Sequence, residues 1–294
     1  LVTIDGGGAA AVITGFENVD ASGYTGGSGA RFTGFTTTTA STFTGTSQTD
    51  VITGGKGDDT IVVASTAVGE NDVMDGGDGT DTIAITGTTD FADTDSNITN
   101  IENVTVTGAI TLTLTGQSEA FNITGNSAIN TIIGGSAIDT ITTGGGVDVV
   151  TLDSNTGADT ITDFTEGNSG DTIAAAGFEA RTTNDAGFLK VADATTAVDV
   201  GAIGVFTLAF NVTDAAADMT FTQLNSAMAG NTLGNAIDGE IGIIAASADF
   251  DGDSDVFLYQ ATSDGTDFDA LTHIGTLSSI TLDNLTAANF NGYA

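Results

Sequence analysis

From Gly45 to Val62 the chain places one large aliphatic residue at every ninth position, with small polar residues beside it. Gly45 to Thr53 carries Ile52 in that slot, and Gly54 to Val62 carries Ile61, with no residue between the two units. A strand of three residues whose middle one is apolar is the period-2 rule in its shortest form: the centre points inward and its neighbours point out. The residues before each strand are Gly-rich and end in an Asp, which predicts a tight turn. Turn and strand repeating at fixed spacing predict stacked units, a parallel β-roll.

Before Thr44 the apolar beats are less regular: Val12-Ile13, Phe16, Val19, Phe32, Phe35 and Phe43 in a Gly/Thr/Ser background. They predict irregular rungs leading into the roll. Further along, Val104, Val106, Ile110, Leu112 and Leu114 alternate with Thr or Gly, so one face of these strands is buried and the other hydroxylated.

The two best units are Gly54-Gly-Lys-Gly-Asp-Asp59-Thr-Ile-Val62 and Gly76-Gly-Asp-Gly-Thr-Asp81-Thr-Ile-Ala84, both of the form G-G-x-G-x-D-x-U-x with U aliphatic. Their spacing of 22 residues exceeds two nonapeptides by four, and the surplus around Val63 to Asp72 is expected to bulge outward as a loop. The chain also repeats itself on a longer scale. Ile98-Thr-Asn-Ile-Glu-Asn-Val echoes Ile13-Thr-Gly-Phe-Glu-Asn-Val at an offset of 85, and the tandem at Gly125 and Gly134 echoes that at Gly45 and Gly54 at an offset of 80. The second array continues through Asp148 and Asp159 to the run Asp163-Phe164 and Glu166-Gly-Asn-Ser-Gly-Asp171-Thr-Ile173.

Charge narrows the partners. Four Lys and Arg stand against 39 acidic residues, a formal net charge of −35, and 32 of the acids are Asp. Asp suits turns, where its short carboxylate bonds nearby backbone or reaches a cation, whereas Glu prefers helices. Such a charge repels nucleic acid and anionic membrane, and divalent cations are its natural partner. With no Cys there is neither a disulfide nor a thiolate metal site, and no Pro interrupts a β-ladder. No run reaches the roughly 18 apolar residues of a membrane span. A chain that begins at Leu1 without Met reads as processed or as a fragment.

In each turn, glycines leave room for backbone carbonyls to converge on a cation while one Asp supplies charge. The G-G-x-G-x-D-x-U-x units resemble the calcium-binding repeats of the RTX family. The resemblance implies a right-handed parallel β-roll with Ca2+ held between turns two nonapeptides apart on one edge. It makes Asp50, Gly55, Gly57, Asp59, Gly77, Gly79, Asp81, Asp139, Asp148, Asp159 and Asp171 the candidate metal residues. Asp59 pairs with Asp81 in this scheme, and Asp139 with Asp159. Asn130 stands where another unit would have Asp, so the edge it shares with Asp148 is expected to bind more weakly. Asp249, Asp251, Asp253 and Asp255 form a further candidate metal group that begins like an EF-hand loop. Ser254 and Gln260 break that pattern, and an acidic hairpin loop is the better reading.

Beyond about Ala174 the texture changes. Thr220 to Gly230 predicts a short helix, and Glu240 to Ala246, Asp255 to Ala261, Leu271 to Thr276 and Ser279 to Leu282 predict strands joined by hairpin loops. The expected fold is all-β: a duplicated roll over 1–173 and a small mainly-β C-terminal region over 174–294 that caps the roll or carries a secretion signal. Catalysis has little to work with. His273 is the only histidine, set on an alternating strand, and no H-E-x-x-H or G-x-S-x-G motif occurs. A non-enzymatic role is expected. The resemblance extends to type-I-secreted surface-layer proteins and implies a calcium-dependent structural protein of the cell exterior. It would self-assemble into a lattice or filament, with calcium as the link to an acidic or glycan anchor. The competing reading is a secretion and folding module of a larger RTX adhesin or enzyme.

Overall fold

The structure, a computed structural model, describes residues 2–3, 12–24, 26, 28–63, 72–87, 89–91, 97–152, 157–175, 186–190, 205–211, 241–247, 254–263 and 268–290. The chain divides into two compact units, Leu1–Gly146 and Val147–Ala294.

The first unit contains β1 Val2–Thr3, β2 Val12–Thr14, β3 Asn18–Asp20, β4 Arg31–Thr33, β5 Thr42–Thr44, β6 Val51–Gly55, β7 Thr60–Val63 and β8 Val73–Gly77. It continues with β9 Thr82–Ile85, β10 Thr89–Asp90, β11 Ile98–Thr99, β12 Asn103–Val106, β13 Thr111–Thr113, β14 Asn122–Asn126, β15 Thr131–Ile133 and β16 Thr140–Gly144. All pairings among the described residues of this unit are parallel. One face runs β1-β3-β5-β7-β9-β12-β14-β16; opposite it lie the runs β2-β4-β6-β8-β11 and β10-β13-β15. This is the expected solenoid.

The register explains its stability. Val19, Phe43, Ile61, Ile83, Val104, Ile123 and Ile141 stack in one inward column, each at most 1% exposed. Phe32, Ile52, Met74 and Ile98 form the facing column and are equally buried. Burying one such side chain stabilises by about 1.5–3 kcal/mol, and stacking identical slots lets strands of two to five residues share a continuous core. The residues before Thr44 are more regular than their spacing predicts: β3 stacks on β5, and β4 between β2 and β6, in register, with Val19, Phe32 and Phe43 buried and Phe16 exposed at 44%. Between β9 and β12 the chain visits both opposing runs, and there one run ends at β11 as the other begins at β10.

The second unit holds β17 Val149–Leu152, β18 Asp159–Ile161, β19 Thr172–Ala175, β20 Ala186–Lys190, β21 Val205–Asn211, β22 Ile241–Ser247, β23 Ser254–Ser263 and β24 Phe268–Ile280. Strands β17 and β19 are parallel rungs. β22, β23 and β24 form an antiparallel meander, and β24 lies parallel to β18 so that it covers that rung's edge. Two single 3-10 turns follow, Leu282–Asn284 and Ala287–Asn289. The expected hairpins are present, but Leu271–Thr276 and Ser279–Ile280 belong to one strand. Leu277 and Ile280 are buried, as Ile274 is, and carry the strand through. The helix expected over 220–230 lies outside the described residues. Among the described residues no helix is long and apolar enough to cross a membrane.

Candidate metal centre

Each turn that leads into the first face ends on the residue just before a strand. In register these residues are Glu17, Ser41, Asp59, Asp81, Glu102, Phe121 and Asp139, one per rung. Asp59 and Asp81 therefore lie on one edge in successive rungs, as the nonapeptide phase requires. The Ser41 N–H donates to Asp59 Oδ1 at 2.6 Å, the Asp59 N–H to Asp81 Oδ1 at 2.7 Å, and the Asp81 N–H to a Glu102 carboxylate oxygen at 2.7 Å. The other oxygen of Asp59 and of Asp81 is buried without a hydrogen-bond partner among the described residues, both residues being only 1% exposed. A buried carboxylate oxygen with no donor is costly. A proton or a cation would satisfy such an oxygen.

The glycines make the room. Gly77 (φ 101°) stacks directly on Gly55 (φ 129°), and a Cβ on Gly77 would strike the Gly55 carbonyl. Gly79 likewise stacks on Gly57. The first glycine of each unit does something the repeat pattern alone did not single out. A Cβ on Gly54 would meet Asp59 Oδ2 at 2.5 Å and the Gly76 carbonyl, and one on Gly76 would meet Asp81 Oδ2 at 2.5 Å and the Asn100 carbonyl. Each orphan oxygen thus faces a space kept open by a missing side chain and walled by the next rung's carbonyl. No group of three or more His, Asp or Glu side chains converges among the described residues. A cation here must take backbone carbonyls as well as carboxylates, which is the habit of a hard ion such as Ca2+.

On the opposite edge Asp50 sits below Asp72, whose Oδ1 accepts the Asp50 N–H at 2.7 Å. Asp50 itself accepts from Ala30 N–H, Thr46 N–H and the Thr46 hydroxyl, so both its oxygens have donors. Asp72 is 5% exposed and belongs to the ladder, which corrects its assignment to an outward loop. The available signal was Asp72-Val-Met74, a D-x-U triplet without its glycines. Residues 64–71 of that insertion lie outside the described residues.

Asp139 accepts from Phe121 N–H and Gly135 N–H, both at 2.8 Å. In the second unit Asp171 accepts from Asp148 N–H at 2.9 Å and Thr165 N–H at 2.8 Å. Asp148 and Asp159 are fully buried, Asp159 at the start of β18. Asp139 belongs to the first unit and Asp159 to the second. Of the EF-hand-like group, Asp249, Asp251 and Asp253 lie outside the described residues. Asp255 is exposed near the start of β23 and accepts the Ser279 N–H at 3.3 Å.

Burial governs the proton affinities. It pushes Asp81 up to about 6 and Asp72 to about 7, each opposed by the backbone donor and reinforced by neighbouring carboxylates. Asp59 and Asp139 are raised for the same first reason. His273 lies half-buried across from Phe257 and Tyr259, with Nε2 3.1 Å from the Thr276 hydroxyl, and desolvation lowers its pKa.

Fold and edge together define a parallel β-solenoid with acidic turns stacked along its edges. The family model of the RTX calcium-binding nonapeptide repeat matches in four copies, over residues 36–64, 69–84 and 124–161. The chain carries RTX calcium-binding repeats folded as a β-roll. No curated protein and no solved structure matches it.

Proposed function

We propose that this chain is a calcium-dependent, non-catalytic structural protein of the bacterial cell exterior, exported by a type I system, folded by extracellular calcium and assembled into a surface layer or related lattice. The observation that carries the calcium part is the pair of buried, donorless oxygens of Asp59 and Asp81 in successive rungs. RTX-repeat proteins are generally extracellular or secreted, and a charge of −35 fits the same setting. In low-calcium cytosol the stacked Asp turns repel and the chain stays extended. Outside, calcium fills sites whose dissociation constants are of order 0.1–1 mM, the range of extracellular modules. Subunits of this charge repel one another, so intermolecular calcium is the simplest bridge between them and towards an acidic or glycan anchor.

Light scattering and electron microscopy of the purified chain during calcium titration test the assembly. Sheets or filaments that chelation dissolves and monovalent salt does not reproduce are expected. A chain that folds with calcium but stays monomeric at high concentration would favour the second reading, a secretion and folding module of a larger RTX adhesin or enzyme. That reading draws support from the C-terminal strand β24 closing the edge of β18.

A further inference from the structure

We propose that Glu102 is a calcium ligand, and that the turn 98–102 closes a second cation site on the edge already occupied by Asp59 and Asp81. The proposal rests on the calcium reading of that edge and extends it to a turn outside every matched nonapeptide, the nearest of which ends at residue 84.

The column of residues that precede the first-face strands holds acids in three consecutive rungs, Asp59, Asp81 and Glu102, bounded by the neutral Ser41 and Phe121. Three stacked carboxylates define two inter-rung spaces. The Glu102 carboxylate makes the contact to Asp81 that Asp81 makes to Asp59, accepting the backbone N–H of the rung below at the same 2.7 Å. The space between Asp81 and Glu102 also contains what a ligand would explain. Asp81 Oδ2 is buried there without a hydrogen-bond partner. It points over Gly76 together with the carbonyl of Asn100, as Asp59 Oδ2 points over Gly54 with the carbonyl of Gly76.

Local geometry accounts for the change from Asp to Glu. In register Asn100 stands over Gly76 and Asn103 over Thr82, so only Ile101 and Glu102 do the work of the five residues 77–81. The shortcut is made by Asn100 in a left-handed conformation (φ 53°), one that Asn tolerates, and by burying Ile101 at 2% exposure. A shorter turn carries the backbone less far out over the edge, and the extra methylene of Glu brings the carboxylate back to the column.

Calcium stoichiometry and affinity by isothermal titration calorimetry decide the matter, on the full chain and on Asp59→Asn, Asp81→Asn and Glu102→Gln. Gln keeps an acceptor for the Asp81 N–H and removes only the charge. Two sites sharing Asp81 predict that Asp81→Asn costs two calcium equivalents while Asp59→Asn and Glu102→Gln cost one each, or weaken one each by roughly tenfold or more. The circular dichroism of chelated Glu102→Gln should match that of the chelated parent. If Glu102→Gln binds calcium like the parent, or if Asp81→Asn and Asp59→Asn lose the same number, Glu102 is no ligand and the Asp59–Asp81 site stands alone. Should Glu102→Gln fail to fold, the Asp81 to Asp59 comparison still decides. A parent chain with no calcium binding that depends on Asp59 overturns the calcium reading itself.

Discussion

The Asp59 N–H donates to Asp81 Oδ1 at 2.7 Å, while the second oxygen of each carboxylate lies buried with no donor. One oxygen of each Asp is thus engaged in holding rungs together, and the other has no hydrogen-bond partner among the described residues. Chelation should therefore loosen the roll over residues 45–173, lowering its β circular dichroism and melting temperature. Each site held at a hundredfold excess of calcium adds about 2.7 kcal/mol. An unchanged melt after thorough calcium removal would contradict the assignment.

Without calcium the pH response should run opposite to that of most acidic proteins. Burial raises Asp81 from 3.8 to about 6 and Asp72 to about 7, so the folded chain holds these protons to higher pH than the unfolded chain. Their stabilising contribution is fully present below about pH 4 and is lost as pH rises through 6 and 7. In chelator the melting temperature should fall between pH 5 and about 7.5. Saturating calcium should remove the Asp81 part of that slope, because the ion displaces its proton. Parallel slopes with and without calcium would refute the link.

Asp58 and Asp59 are neighbours with different fates. Asp58 Oδ1 accepts the Thr80 N–H at 2.9 Å on the exposed surface, beside the exposed Lys56–Asp78 pair. Asp58→Ala should cost about 1 kcal/mol of stability and leave calcium affinity nearly unchanged. Asp59→Ala should lose calcium affinity. Equal calcium losses in the two variants would show that the edge acts as a diffuse acidic patch.

Much of this arrangement was legible in the nonapeptide phase. Ile61 and Ile83 had to point inward, which turned Asp59 and Asp81 to one edge, because a one-residue slip would expose every aliphatic in the column. Asp72 and Glu102 were harder to see, since each follows a segment that breaks the glycine pattern. Only the x-U residues after them, Val73-Met74 and Asn103-Val104, restore the register. The role of Gly54 and Gly76 depends on which carbonyl lies above them, a long-range fact with no local signature. The hydrogen-bond state of each Asp was equally invisible: Asp50 and Asp59 occupy the same slot of adjacent nonapeptides, yet Thr46 fills the space beside Asp50 with two donors.

Gly76 gives a steric test of the centre. A Cβ there would collide with the Asn100 carbonyl and crowd Asp81 Oδ2 to 2.5 Å. Gly76→Ala must therefore shift a rung or displace the carboxylate. Calcium affinity should fall and the melting temperature with it, by the 1–3 kcal/mol typical of overpacking. Gly167→Ala is a useful contrast. A Cβ on that glycine would meet nothing within 4 Å, so its φ of 91° supplies a backbone penalty but no clash with a carboxylate. A calcium loss equal to that of Gly76→Ala would assign the effect to stability alone.

The end of the second unit is clamped by one buried amide. Asn289 is fully buried. Its Nδ2 donates to the carbonyls of Asp171 (2.8 Å), Gly167 (3.2 Å) and Thr165 (3.4 Å), and its Oδ1 accepts the N–H groups of Gly167 and Thr286, both at 3.0 Å. Glu166 reinforces the contact by accepting from Thr281 N–H and Asn284 Nδ2, and Phe290 bridges Ile173. The tail thereby grips the same turn whose Asp171 carboxylate holds the Asp148 N–H, and losing the grip should loosen that turn as well. Asn289→Ala should cost about 3 kcal/mol by leaving several buried groups unpaired. Asn289→Asp should cost more, because it turns a carboxylate oxygen toward three carbonyls. Limited proteolysis in saturating calcium should then cut the tail after Ile280 in both variants but spare it in the parent. Parent-like resistance in Asn289→Asp would show that the tail is held by β24 alone.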